Sequence, residues 1–221
     1  MFHVEQSGQF VEFLTGGLAQ FGFSITDNQV SEFVVYYNEL VAWNKKINLT
    51  TIAQGKEIAV KHFLDSLAYS SVLAPLFKEE SLLDVGSGAG FPGLPMKICN
   101  PDLDLVLLEP NVKKTAFLRH IIGKLRLKKT VVLPKRLQDL SWESAHLGQY
   151  RYIVTRALGV GQIFPFVRPL LAERGFIILG RSKPLEDQMD TYGLRIAREV
   201  SFSLPYGFGK RVLTVVESLD F

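Results

Sequence analysis

Leu82-Leu83-Asp84-Val85-Gly86-Ser87-Gly88-Ala89-Gly90-Phe91-Pro92-Gly93 decides the fold. An apolar run closes on an acid and feeds a glycine turn, and Pro92-Gly93-Leu94-Pro95-Met96-Lys97-Ile98 then reads as the opening of a helix. Glycine adopts positive φ freely and lets another molecule approach the backbone without meeting a Cβ. A helix that starts beside such a turn presents free N–H groups and the positive end of its dipole. Open α/β sheets form nucleotide or nucleoside pockets this way, at the carboxyl end of a parallel strand. A merely structural tight turn has no need of three glycines within five positions. Gly88-Ala89-Gly90-Phe91-Pro92-Gly93 satisfies the dinucleotide pattern G-x-G-x-x-G, and Glu109 ends the next apolar run at a fitting distance. Two features count against a dinucleotide. The glycine that follows the strand is Gly86, and counting from it puts Phe91 in the third glycine's place. Asp84 also stands inside the strand end, where its charge would repel a pyrophosphate.

Outward from this stretch, 221 residues suit one ordinary domain, or one with a small appendage. Hydrophobic residues make up 47%, enough for a buried core and too many for long disorder. The single cysteine, Cys99, excludes an intramolecular disulfide and suits a reducing compartment. It falls in the apolar pattern of the helix after the turn, as a buried inert thiol rather than a nucleophile. The N-terminal residues lack the basic and then apolar layout of a signal peptide, and no apolar run approaches the ~20 residues that span a bilayer. The expectation is a cytoplasmic protein with no membrane partner and no metal ligand set. Between Pro110 and Arg136 stand Lys113, Lys114, Arg119, Lys124, Arg126, Lys128, Lys129, Lys135 and Arg136 without one acid, leaving the rest of the chain net negative. Such a run beside a nucleoside pocket points to a polyanionic substrate.

Before the glycine turn the pattern is helical. Phe10, Phe13, Leu14, Leu18 and Phe21 recur at helical spacing over residues 7 to 21, and Gly22 ends the run. Thr26 opens a capping box with Gln29, and an apolar face continues to about Trp43. A third helical stretch holds Ile58, Val60, Phe63, Leu64 and Leu67, and Pro75 closes this part. From Ser81 strands and helices alternate, which predicts a parallel sheet. Strands are expected over 82–86, 103–108, 130–134, 152–155, 175–179, 196–202 and 212–217, with helices over 92–99, 112–125, 161–171 and 185–192. No helical pattern separates the last two strands, so a hairpin there would put one antiparallel strand at the sheet edge.

Asp84-Val85-Gly86-Ser87-Gly88-Ala89-Gly90 looks like the first motif of class I methyltransferases, whose cofactor S-adenosylmethionine is cationic and carries no phosphate. An acid near the sulfonium and amino ends, with Glu109 at the ribose hydroxyls, suits that cofactor. From about Tyr37 to Val216 the chain resembles the glucose-inhibited division protein B family, the bacterial 16S rRNA guanine-N7 methyltransferases. The resemblance rests on Trp43-Asn44-Lys45 with Asn48-Leu49-Thr50, on His62 with Leu64-Asp65-Ser66, and on the glycine turn. It continues through Leu108-Glu109, Lys113-Lys114, Phe117-Leu118, Arg136 and Thr155-Arg156-Ala157. It implies an α/β class I methyltransferase fold: a Rossmann-like seven-stranded sheet, last strand antiparallel, over residues 76–221, with a helical extension over 1–75 packed on it.

The resemblance also implies that S-adenosylmethionine, leaving as S-adenosylhomocysteine, is held by Gly86, Ser87, Gly88, Phe91, Leu137, Gln138 and Arg156. Glu109 is added from the ribose-carboxylate rule. The implied partner is 16S rRNA or a small-subunit particle, met by a monomer. After the fifth strand the family usually carries a lysine-glycine pair, where this chain has Leu179-Gly180-Arg181-Ser182-Lys183.

Guanine N7 has an in-plane lone pair and no proton to lose, so methylating it needs alignment and exclusion of water rather than a general base. The fourth strand runs into Thr155-Arg156-Ala157-Leu158, not the Asn/Asp-Pro-Pro-aromatic turn used on exocyclic amines, and no Pro-Cys pair is present. Arg156 is the candidate catalytic residue, set between cofactor and guanine. Lys45, Lys46, Lys113, Lys114 and Arg136 are candidate rRNA phosphate contacts. His62 and Asp65 either orient an RNA-facing loop or, three residues apart on a helix, pair with each other. Two other readings stay open at this level: a class I methyltransferase on another RNA, protein or small molecule, and a non-catalytic rRNA-binding assembly factor.

Overall fold

The structure, a computed structural model, describes residues 2–73, 80–156, 158–185 and 189–219. Short apolar runs form seven strands: β1 (Ser81–Val85), β2 (Asp104–Leu108), β3 (Thr130–Leu133), β4 (Tyr150–Thr155), β5 (Leu171–Arg181), β6 (Leu194–Ser203) and β7 (Lys210–Ser218). They make one sheet in the order β3-β2-β1-β4-β5-β7-β6. Strands β1 to β5 pair in parallel, and β7 runs antiparallel to both β5 and β6. The order reverses between β1 and β4, the switch point at which open α/β sheets bind ligands.

The antiparallel strand is not at the edge as the sequence suggested. β7 is buried from Val212 through Val216 and takes the inner place, while β6, with Arg195, Arg198 and Glu199 exposed along it, becomes the border. A charged, solvated edge resists pairing with another chain.

Successive strand residues face opposite sides. Leu82 packs into one cluster with Leu105, Phe117 and Val215, while Leu83 joins Leu108, Ile153 and Ile177 on the other face. The first cluster also takes in Phe10 and Leu14 of α1 (Phe2–Gln20), Tyr36 and Tyr37 of α2 (Asp27–Ile47), and Phe63. The N-terminal helices and the sheet thus share one core. Phe63 lies in a π-helical turn (Ala59–Leu64) between α3 (Gly55–Ile58) and α4 (Asp65–Leu73), and such turns re-aim side chains within an otherwise regular helix. The capping box of Thr26 and Gln29 starts α2.

Helices α5 (Gly93–Cys99) and α6 (Val112–Leu125) follow β1 and β2, and α7 (Leu137–Leu140) and α8 (Val160–Val167) follow β3 and β4. α8 stops short of Leu171. Pro169 brings no N–H to continue it, and a 3-10 turn, Arg168–Leu170, finishes the run. The helix expected over 185–192 reduces, among the described residues, to a 3-10 turn at Asp190–Tyr192. Gly193 ends that turn at φ +67°, and residues 186–188 lie outside the description. Pro75, with the proposed boundary beside it, and Ala157 lie outside the described residues as well. Burial pushes the Cys99 thiol up to about 12, in keeping with an inert side chain. No helix among the described residues is long and apolar enough to cross a membrane.

Candidate active site

The turn after β1 closes on itself. The N–H groups of Gly86 and Ser87 both donate to the Leu108 carbonyl, at 2.9 and 3.1 Å, and those of Gly90 and Phe91 to the Ser87 carbonyl. The Gly88 N–H donates to Glu109 Oε2 at 2.9 Å, and the Ser87 hydroxyl to the Asp84 carbonyl. The conformation requires glycine at two places above all. Gly90 sits at φ +98°, where a Cβ would come within 2.4 Å of Leu94 and 2.6 Å of the Tyr36 hydroxyl. Gly86, at φ +72°, would push a Cβ to 3.1 Å from the Leu158 side chain.

Asp84 is open to neither of the two clefts at the carboxyl ends of the strands, whereas the sequence reading set it near a ligand's cationic end. It is fully buried, and its Oδ2 accepts the Gly93 N–H at the start of α5 at 2.9 Å. Its Oδ1 has no partner among the described residues. Burial pushes this carboxyl up to about 7, against the lowering effects of the Gly93 N–H and the Arg156 charge. Between roughly pH 4 and 7 the folded protein therefore keeps a proton that the unfolded chain has released, and stability falls as pH rises through that window. Asparagine does not titrate. The stability of Asp84→Asn relative to the parent should rise by on the order of 3 kcal/mol from pH 4 to pH 7. Urea unfolding at both values checks this, and a difference independent of pH contradicts it.

Two clefts open at the carboxyl ends of the strands. One, of about 450 Å³, is lined by Gly86, Glu109, Lys114, Arg136, Leu137, Gln138 and Leu158 among others. The second, of about 620 Å³, is lined by Lys61, His62, Asp65, Arg156, Arg181, Lys183 and Arg211, and again by Leu158. The two therefore meet at Leu158, above Gly86.

The second cleft is held by a relay from separate stretches. The Asn44 side chain bonds the backbone of Thr50 in both directions, at 2.8 and 2.9 Å. The Thr50 hydroxyl lies 2.7 Å from His62 Nε2, and His62 Nδ1 lies 3.1 Å from Arg156 Nη2. A guanidinium only donates, so Nδ1 accepts and the imidazole carries its proton on Nε2. Burial and the Arg156 charge lower His62 to about 3, which keeps it neutral. Arg156 also donates to the Lys61 carbonyl at 3.1 Å, and its guanidinium stands 5.4 Å from the Phe91 ring centroid. Phe91 stacks on the imidazole on one side and on Tyr36 on another. Asp65 lies 3.7 Å from Arg156 and 3.4 Å from Arg211, and burial raises its pKa despite both. His62 and Asp65 thus converge on Arg156, not on each other.

Of the residues singled out in the sequence, Gly86, Glu109, Lys114, Arg136, Leu137 and Gln138 meet at the first cleft, and His62, Asp65 and Arg156 at the second. Lys114 and Arg136 so stand on the Glu109 side. Ser87, Gly88 and Phe91 line neither cleft: Ser87 and Phe91 are buried, and Gly88 is tied to Glu109 through its N–H. Lys45 and Lys46 in the last turn of α2, and Lys113 in the first turn of α6, are exposed outside both clefts. Lys61, Leu158 and Arg211 escaped the sequence reading. The signal for Arg211 lies in the sheet order, which places β7 beside β5 and pairs Val212 with Arg181.

With the N–H groups of Gly86, Ser87, Gly88, Gly90 and Phe91 bonded inside the protein, the turn has little to offer a pyrophosphate. A buried carboxylate, an apolar wall and a cationic second cleft suit a phosphate-free nucleoside beside a polyanion. Comparison with known proteins agrees. The family model described as rRNA small subunit methyltransferase G matches residues 29–202. The chain is 36% identical to the ribosomal RNA small subunit methyltransferase G of Dehalococcoides mccartyi, over 94% of its own length and 91% of that protein's. It is 33% identical to the protein of the same name from Alkaliphilus metalliredigens, over 93% and 89%. Among solved structures, a SAM dependent methyltransferase from Aquifex aeolicus superposes with a TM-score of 0.54 over 72% of this chain and 92% of that one. At 12% identity this shows a shared fold.

Proposed function

The chain belongs to the rRNA small subunit methyltransferase G family, and from that premise we propose that it methylates N7 of a guanine in 16S rRNA. The methyl donor is S-adenosylmethionine. The observation that carries the reading is the closed glycine turn facing Glu109, which leaves room for a nucleoside while most of the turn's own N–H groups are bonded inside the protein.

Glu109 accepts the ribose hydroxyls, Leu137 forms an apolar wall for the adenine, and Gln138 reads its edge. Gly86 lets the nucleoside lie against the strand end, where any Cβ would crowd Leu158. S-adenosylmethionine bound there supplies an electrophilic methyl group on a positively charged sulfur. The chain's own part is placement. His62, held by Thr50, and the Lys61 carbonyl fix the Arg156 guanidinium over Phe91, so the donor groups of the second cleft are set before the RNA arrives. Guanine N7 attacks without giving up a proton, so no side chain here needs to act as a base. The cations around the cleft meet RNA phosphates, with Lys45, Lys46 and Lys113 extending the track outside it, each weakly and with strong salt dependence.

Tritiated methyl transfer into rRNA or small-subunit particles from a strain lacking this protein tests the reading. The label is expected in 7-methylguanosine of the 16S rRNA, at one nuclease-mapped position. Label in an exocyclic amine or in ribose would overturn it.

A further inference from the structure

An enzyme that methylates N7 must tell guanine from adenine, because both purines carry that nitrogen. The bases differ at position 6, where guanine presents an acceptor, and along N1–H and N2–H₂, where it presents donors. Reading two adjacent donors takes an acceptor-only group, and an ionised carboxylate accepts both at once. Asp65 is the one carboxylate among the described residues that line the second cleft, set among Lys61, Arg156, Arg181, Lys183 and Arg211. A cleft shaped only for phosphate gains nothing from an acid at its floor. The role of steadying the arginines leaves this one underused, since its oxygens stand 3.7 and 3.4 Å from Arg156 and Arg211. Close charge-assisted contacts run nearer 2.7–2.9 Å, as a rough guide. Each Asp65 oxygen faces one arginine and keeps a second lone pair for a ligand, in a position only 6% exposed.

We infer that Asp65 is the specificity-determining residue for the base: its carboxylate accepts N1–H and N2–H of the target guanine, and the flanking arginines donate to O6. That arrangement leaves N7 uncovered beside O6, on the edge away from N1–H and N2–H₂, in the cleft that adjoins the first one at Leu158. The inference rests on the guanine reading above.

The test uses full-length protein and small-subunit rRNA joined by splinted ligation, so that the mapped target position carries guanosine, inosine or adenosine. Inosine keeps O6, N1–H and N7 and lacks only the 2-amino group. Wild-type protein should methylate the inosine substrate about tenfold more slowly or worse, and adenosine not measurably. Asp65→Asn should slow the guanosine reaction sharply and bring the guanosine-to-inosine ratio within about twofold of one, with S-adenosylhomocysteine affinity unchanged. A residue that only steadies Arg156 would slow both substrates alike and preserve the ratio. Equal wild-type rates on guanosine and inosine overturn the assignment of Asp65 alone, and this holds even if the Asn variant does not fold. No transfer to guanosine by the wild-type protein overturns the guanine reading and the assignment with it.

Discussion

Arg156→Ala is expected to lower methyl transfer about a hundredfold to a thousandfold, the usual loss on removing one preorganised donor. The melting temperature should change far less. The guanidinium is anchored by the Lys61 carbonyl and His62 Nδ1, both at 3.1 Å, and backed by the Phe91 ring. Of these only the Phe91 ring belongs to the core, and it stays packed on Tyr36 and Phe63 without the guanidinium. Its side chain is partly open to the cleft, so water can replace it, and Arg211 still attends Asp65. The loss should therefore appear in single-turnover rates rather than in unfolding. Arg156→Lys restores the charge without the planar fork that reaches several acceptors together, and should stay at least about tenfold below the parent. Undiminished turnover in the alanine variant would remove Arg156 from the mechanism.

What the sequence made legible followed from local rules. The strand-turn-helix at Asp84–Gly93 is written in glycine spacing, the Thr26 cap in its four-residue box, and α6 in the range 112–125, whose bounds agree to the residue. What it concealed depends on long-range pairing. Nothing local says that β7 slips between β5 and β6, and with it goes the placement of Arg211 beside Asp65. The Asn44, Thr50 and His62 blocks were visible as motifs, but their linkage needs the π-helical turn that aims His62 back at Thr50. Asp84 misled for a related reason. Its place at the strand end indicated a ligand contact, and only the fold shows the side chain turned inward to hold the Gly93 N–H. In the same way Lys124, one cation of the basic run, sits 3.5 Å from Glu39 of α2 instead of standing free for RNA.

Glu109→Ala is expected to weaken S-adenosylhomocysteine binding about a hundredfold or more, the scale of two hydrogen bonds to a charged acceptor. Glu109 performs two tasks at once. Its Oε2 accepts the Gly88 N–H and its Oε1 the Asn111 N–H, each at 2.9 Å, which ties the glycine turn to the residue that caps α6. Each oxygen keeps a second lone pair, and the cleft beside it is where ribose hydroxyls would donate. Glutamine separates these tasks from mere size. It keeps one acceptor oxygen, but its amide nitrogen would face either Gly88 N–H or Asn111 N–H, donor against donor. Glu109→Gln should therefore bind S-adenosylhomocysteine almost as poorly as the alanine variant, by calorimetry, despite its matching shape. A glutamine variant that binds like the parent would place the ribose elsewhere. The opposition of a closed turn and a ribose-facing carboxylate would then no longer explain why this pocket selects a nucleoside without phosphate.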